Sequence, residues 1–125
     1  MINGIHHISM KCTQDEYEKV KSFYKSILDL DVIKESDSCI LFSSGNGIIE
    51  IFISDEKREA KGIIRHFALL VDNVDYYVNL VSKAGYEVFV QPRDIEIGGD
   101  SAFPARIAFC KGPLGEEVEF FCQKW

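Results

Sequence analysis

One stretch of this 125-residue chain occurs twice, and that repeat limits the possible folds more than any other feature. Ile5-His6-His7-Ile8-Ser9-Met10-Lys11-Cys12 is matched 59 residues later by Ile64-Arg65-His66-Phe67-Ala68-Leu69-Leu70-Val71. A self-match at such a period points to one supersecondary unit used twice. Both stretches read as strands. Each is followed by an acidic or Asn-bearing start and then by apolar residues spaced three and four apart, which mark one face of a helix. Those residues are Tyr17, Val20, Phe23, Tyr24, Ile27 and Leu28 in the first half, and Val74, Tyr77, Val78, Val81 and Ala84 in the second.

Each helix runs into a strand, Leu30 to Ile33 in one half and Gly85 to Val90 in the other, with Gly85 placed to cap the second helix. Further strands are expected at Cys39–Phe42 and Ile48–Ile53, and again at Ala105–Cys110 and Val118–Cys122, with turn signals at Ser43–Gly47 and Lys111–Gly115. Each half therefore reads strand, helix, strand, strand, strand. The expected layout is one α+β domain of two modules, the first over about 1–53, a polar linker over 54–62, and the second over about 63–125. The second half carries an additional segment, Pro92 to Pro104, whose Gly98-Gly99 pair suggests a mobile loop beside a binding site.

Composition removes several functional classes. A chain of this length buries roughly two-thirds of its unfolded surface and needs no disulfide or structural metal to hold a core. Any metal is then expected to serve chemistry. Lys and Arg total 14 against 20 Asp and Glu, and the basic residues form no stripe, which argues against a nucleic-acid partner. No apolar run approaches the ~20 residues of a bilayer span, and Met1-Ile2-Asn3-Gly4 lacks a signal peptide's charged start, so a cytoplasmic protein without membrane contact is expected. Cys12, Cys39, Cys110 and Cys122 lack zinc-knuckle spacing and are expected as reduced, mostly buried thiols.

The chemistry-bearing residues are the polar ones set within apolar strands, because a buried carboxylate needs a compensating charge. Glu50 lies between Ile49 and Ile51, and Glu119 lies between Val118 and Phe120 in the matching last strand. His7 and His66 hold matching places in the first strands. Strand alternation puts His7 with Ile5, Ser9 and Lys11, His66 with Ile64, Ala68 and Leu70, Glu50 with Ile48 and Phe52, and Glu119 with Glu117 and Phe121. A lone His or Glu in a strand is usually an ordinary surface residue. Two of each at equivalent repeat positions are harder to explain that way, and if the sheets curl toward a common cleft the four converge. Two imidazoles and two carboxylates suit Ni²⁺, Co²⁺, Zn²⁺, Mn²⁺ or Fe²⁺ and leave the site formally neutral. An octahedral ion so held keeps two positions for substrate oxygens and acts as a Lewis acid. His6 and Glu117 lack this pairing and are candidates for a surface or supporting role.

At this point the chain resembles a known group, the vicinal oxygen chelate superfamily, and within it the lactoylglutathione lyase (glyoxalase) type. The likeness rests on Gly4-Ile5-His6-His7-Ile8, on Phe23-Tyr24 followed by Leu28-Asp29-Leu30, on Arg65 to Val74, and on Gly112-Pro113-Leu114-Gly115 before Val118-Glu119-Phe120. The resemblance implies tandem βαβββ modules forming curved sheets around a metal cleft, the glyoxalase/bleomycin resistance/dioxygenase fold, often in a homodimer. Carried over by position, its metal ligands fall on His7, Glu50, His66 and Glu119. It also implies isomerisation of a thiol–methylglyoxal hemithioacetal to a 2-hydroxyacyl thioester by proton transfer through an enediolate, with Glu50 or Glu119 as the base.

Glu50 favours the glyoxalase branch, because related epimerases usually have Gln there and the dioxygenases typically use two histidines and one glutamate on longer chains. Ni²⁺ or Co²⁺ is the favoured cofactor, with Zn²⁺ possible. The chain departs from the pattern at Lys11, where an Arg commonly grips the thiol's carboxylate. Lys lacks the planar fork that Arg offers, yet Lys11 remains the expected substrate-binding residue. Other departures are Ser54 for Asn, Gly112 for an acidic residue and Leu114 for Asp. The competing expectations are a bleomycin-resistance-type binding protein and another metal-dependent member such as an epimerase or a fosfomycin-inactivating thiol transferase.

Overall fold

In a computed structural model of the chain, residues 1, 3, 5–58, 62 and 64–125 are described. Gly4 of the opening motif, part of the linker expected over 54–62, and residue 63 at the expected start of the second module lie outside the described residues. Two compact units result, Met1–Glu59 and Ala60–Trp125.

In the first unit, strand β1 (His7–Cys12) leads into a helical stretch, followed by β2 (Val32–Glu35), β3 (Cys39–Ser43) and β4 (Ile48–Ile53). The helical stretch is composite, passing from a 3-10 turn at Gln14–Glu16 through α1 (Tyr17–Lys21) to a π-helical segment at Ser22–Ile27. Its start is locked by a capping box, in which the Glu16 carboxylate accepts from the Thr13 N–H at 2.9 Å. The strands make a curved sheet in the order β1-β4-β3-β2, with β4 parallel to β1 and the other pairs antiparallel. That order follows from connectivity. The helical crossover carries the chain to the far edge, and the β2-β3-β4 meander brings it back beside β1.

The second unit repeats this order. Strand β5 (Phe67–Leu70) is followed by α2 (Val74–Lys83), β6 (Val88–Glu96), β7 (Pro104–Lys111) and β8 (Glu117–Gln123), in a curved sheet ordered β5-β8-β7-β6. Asn73 caps α2, its side chain accepting from the Tyr76 N–H at 3.0 Å. Gly85 ends the helix with φ 92°, as its position suggested. The corresponding residue of the first unit, Asp29, adopts φ 58° with a side chain present.

Each sheet has one face against its helix. In the first unit Ile49, Ile51, Ile40 and Phe42 are fully buried on that face, and Phe42 meets Tyr24 with ring centroids 5.6 Å apart. In the second, Val118 and Phe120 are fully buried and Phe120 stacks on Tyr77 at 5.5 Å. Burial of each such side chain contributes about 1.5–3 kcal/mol. Arg106 ties this layer together, with forked contacts to Asp75 at 2.7 and 2.9 Å and a contact to Asp94 at 3.3 Å. Cys12, Cys39 and Cys110 are buried and free, and Cys122 is half-buried and free. Among the described residues no helix is long and apolar enough to cross a membrane.

The expected loop from Pro92 to Pro104 is a correction. Residues 92–96 belong to β6, which pairs with β7 as far as Glu96↔Pro104, and a short 3-10 turn at Ile97–Gly99 opens the reversal. The ladder shifts register between Val90 and Arg93. The missing N–H of Pro92 therefore falls where an irregularity absorbs it, so proline does not end the strand. Of the two apolar helical patterns, Ile27 is only half-buried and Ala84 is exposed, while Leu28 at the end of the first is buried.

Two stability predictions follow from these caps. Asp29→Gly removes the side chain from a left-handed backbone and is expected to stabilise the protein by about 0.5–1 kcal/mol in urea unfolding. Glu16 is held at a pKa of about 2, chiefly by the Arg58 guanidinium, whose two nitrogens reach its oxygens at 2.8 and 2.9 Å. A lowered folded-state pKa stabilises above the ordinary carboxylate range and is lost as pH falls through it. Unfolding measured from pH 5 to pH 2 should show a loss of stability that flattens in Glu16→Gln.

Candidate functional site

The site residues are placed by the parallel ladders. In the first sheet Ser9 lies opposite Glu50, and His7 is two residues before Ser9 on the same face. In the second sheet Ala68 lies opposite Glu119, and His66 is two residues before Ala68, just ahead of the first residue of β5. The two sheets thus set their His and Glu in the same diagonal relation across a parallel strand pair. Side chains on one face of neighbouring strands then bring each pair together. His7 Nε2 is 3.9 Å from Glu50 Oε1, and His66 Nε2 is 3.3 Å from Glu119 Oε1.

The pairs differ in their surroundings. Glu50 lies between Ser9 and Leu41, with 22% of its side chain exposed. Glu119 lies between Ala68 and Phe109, with 11% of its side chain exposed. Burial pushes the Glu119 carboxyl above the ordinary carboxylate range, and the adjoining His66 acts in the opposite direction. The His66 ring stands edge-on to Phe109 at 5.0 Å, and Phe109 is backed by Phe89 at 5.6 Å, over which Lys111 Nζ sits at 5.8 Å. Further along Glu119's face come Phe121, exposed Leu70 opposite it, and Trp125, which contacts both Phe121 and Phe103.

Each pair fits two neighbouring donors on one divalent ion. Donors bound at about 2.1 Å on adjacent corners of an octahedron lie roughly 3 Å apart. The 3.3 Å between His66 and Glu119 approaches that value and the 3.9 Å between His7 and Glu50 exceeds it, while imidazole nitrogen with carboxylate oxygen is a donor set borderline cations accept. Among the described residues, no group of three or more His, Cys, Asp or Glu side chains is placed so that it could hold a metal ion.

Lys11 lies on the His7 face, two residues beyond Ser9 and opposite Phe52. Its Nζ contacts Glu56 at 2.5 Å, a partner its sequence position did not suggest. Glu56 stays within reach because the chain after β4 folds back on β1. Ser54 N–H donates to the Cys12 carbonyl at 2.8 Å, and Arg58 donates to the Lys11 carbonyl at 3.2 Å. Strand alternation could not have revealed this, because Glu56 lies outside any strand.

Two other features bear on the site. Gly112 begins the turn before β8, where the Glu116 carboxylate occupies the space of a side chain and accepts from the Leu114 N–H at 2.7 Å. The acidic anchor of this turn thus comes from Glu116, which accounts locally for Gly112 and Leu114. In the first unit a recess of about 380 Å³ is lined by Gln14, Tyr17, Glu35, Ser36, Asp37 and Ile53 and contains none of the four candidate donors. Glu35 there accepts from the Tyr17 hydroxyl and pairs with Lys21 at 2.8 Å.

The profile of the Glyoxalase/Bleomycin resistance protein/Dioxygenase superfamily matches residues 4–120. Several solved structures share the fold. A glyoxalase family protein from Enterococcus faecalis is 22% identical with a TM-score of 0.74, covering 95% of this chain and 97% of that one. A glyoxalase/bleomycin resistance protein/dioxygenase from Alicyclobacillus acidocaldarius is 18% identical with a TM-score of 0.70, covering 97% and 92%. A lactoylglutathione lyase from Agrobacterium tumefaciens is 16% identical with a TM-score of 0.71, covering 97% and 94%. At these identities the likeness is one of fold. No curated protein matches the chain in sequence.

Burying Glu119 costs stability, which gives a test independent of turnover. A folded-state pKa raised by burial contributes stability at low pH that is lost as pH rises from the ordinary carboxylate range through the raised folded-state value. At neutral pH, Glu119→Gln in chelator-treated protein should raise the unfolding free energy by about 1 kcal/mol, with a smaller gain for the more exposed Glu50→Gln. Urea unfolding of the two variants reads the difference.

Proposed function

Because the chain belongs to the Glyoxalase/Bleomycin resistance protein/Dioxygenase superfamily, we propose that it is a metal-dependent glyoxalase acting on the hemithioacetal of methylglyoxal and a thiol. His7, Glu50, His66 and Glu119 would together hold one divalent ion, with Ni²⁺ or Co²⁺ favoured and Zn²⁺ possible. The observation that carries this reading is the identical diagonal His–Glu register in both sheets. A duplicated structural element would keep its helix-facing apolar residues; duplicated chemistry also keeps the donors on the opposite face.

When bound, such an ion would supply Lewis-acid polarisation of two neighbouring substrate oxygens. The chain's own part is proton movement and orientation. Glu119 or Glu50 would take the proton from the hemithioacetal carbon and return it to the adjacent carbonyl carbon, while the hydroxyl proton passes from the hemithioacetal oxygen to the former carbonyl oxygen, so that one isomer becomes the other with no net gain or loss of atoms. Glu119's dry setting between Ala68 and Phe109 limits exchange of that proton with water. Lys11 would orient the thiol's anionic end, displacing Glu56 as it does so. A homodimer in the cytoplasm belongs to the same proposal, with a small molecule as the only partner required.

A second reading is supported by the aromatic row of half-buried Phe121 with exposed Trp125 and Phe103 on Glu119's side of the sheet, which suits a flat apolar molecule. On that reading the chain sequesters a drug, as bleomycin-resistance proteins do, without turnover.

Protein stripped of metal and reloaded with Ni²⁺, Co²⁺ or Zn²⁺ is expected to form thioester from methylglyoxal with glutathione or another thiol. Glu50→Gln and Glu119→Gln should each lower kcat by at least about 10²-fold. Reloaded protein no faster than Glu50→Gln rejects the lyase, and a metal-free preparation with undiminished ligand affinity favours sequestration.

A further inference from the structure

Both sheets carry the same irregularity in their outer strand pair. In the first, β2 advances from Val32 to Lys34 while β3 moves only from Phe42 to Leu41. In the second, β6 advances from Val88 to Val90 while β7 moves only from Cys110 to Phe109. Each is a bulge with one extra residue, Ile33 in one unit and Phe89 in the other, and such a residue is turned away from the regular pleat. The repeated backbone is filled differently in the two units. Ile33, Leu41 and Ser43 of the first unit are replaced in the second by Phe89, Phe109 and Lys111.

The replacements form one surface beside the His66–Glu119 pair. Phe109 lies opposite Glu119 and meets the His66 ring edge-on at 5.0 Å. Phe89 leans on Phe109 with centroids 5.6 Å apart, and Lys111 Nζ sits 5.8 Å from the Phe89 centroid. The row thus runs from an imidazole across two phenyl rings to an ammonium. Phe89 is exposed and Phe109 half-buried, so ring surface is open to a ligand. The row extends away from Phe121, since Phe121 lies opposite Ile107 and Lys111 lies opposite Glu117.

The charge at its end is uncommitted. Among the described residues no carboxylate pairs with Lys111 Nζ, not even Glu117 directly across the strands, and the ammonium rests over the Phe89 ring instead. Lys11, by contrast, is already met by Glu56 at 2.5 Å. An ammonium has three N–H donors and no acceptor, so the complement of Lys111 is an anion. The chain as a whole carries a net charge of −6, which makes a local cation the more necessary for holding one.

We propose that the surface from His66 to Lys111 is a subsite for a small flat molecule with an anionic end. Its ring lies against Phe109 and Phe89, where offset and edge-on contacts between rings are favourable, and its carboxylate, sulfonate or phosphate meets Lys111. Nothing in this subsite requires a cation on His66 and Glu119, so it is independent of the lyase reading.

The test uses the whole chain stripped of metal and two fluorescent probes of one framework. Anilinonaphthalenesulfonate carries an anion, and phenylnaphthylamine lacks it. At low ionic strength Lys111→Met is expected to weaken binding of the sulfonate about two- to fivefold and to leave the neutral probe unchanged, with Lys111→Arg restoring the parent affinity. Phe89→Ala, at an exposed ring, should weaken both probes by about two- to tenfold. A sulfonate affinity indifferent to Lys111→Met, or a loss shared equally by the neutral probe, overturns the anion site. Probes indifferent to Phe89→Ala are bound elsewhere, as on the Phe121, Trp125 and Phe103 row, and overturn the subsite. Turnover enters none of these readouts, so failure of the lyase reading is told apart from failure of the subsite.

Discussion

The parallel pairing of the first and last strands within each unit is the constraint on which the rest depends. It brings residues 41 positions apart in the first ladder, as with His7 and Ile48, into direct register. An antiparallel closure would run β4 the other way and move Glu50 relative to His7. The β2-β3-β4 meander forces the parallel arrangement, and the apolar face set against the helix fixes which residues point outward. A slip of one residue would exchange the buried Ile49 and Ile51 with Glu50, so the core and the site are held by the same register.

Within that shared plan the two units differ in how they hold their donors. Glu119 sits among Ala68, Phe109 and Phe121, and its burial works against the charged form. Glu50 sits beside Ser9 with more exposure, and its histidine partner is backed by another imidazole rather than by a phenyl ring. The two glutamates thus differ in exposure despite their equivalent places in the repeat.

Much of the fold was legible because each signal was local and periodic. Alternation gave the strands, three-and-four spacing gave the helices, and Gly85 marked a left-handed terminus. The less accurate readings concern long-range pairing. The segment from Pro92 to Glu96 reads as a loop from its proline and glycines, yet β7 supplies a partner that extends the strand across an irregular register. Asp29 gives no glycine signal although its backbone takes the same left-handed conformation as Gly85.

The repeat of His7 with His66 and Glu50 with Glu119 is visible in the amino-acid order alone, because duplication leaves residue types at matched positions. The choice of partner for each of those side chains was decided only by tertiary structure. That Glu119 is enclosed by Phe109, that Lys11 is met by Glu56 and that His6 turns its ring onto His7 all depend on strand register, chain reversal and ring rotamers. These are set by packing among residues distant in sequence, so no local pattern encodes them.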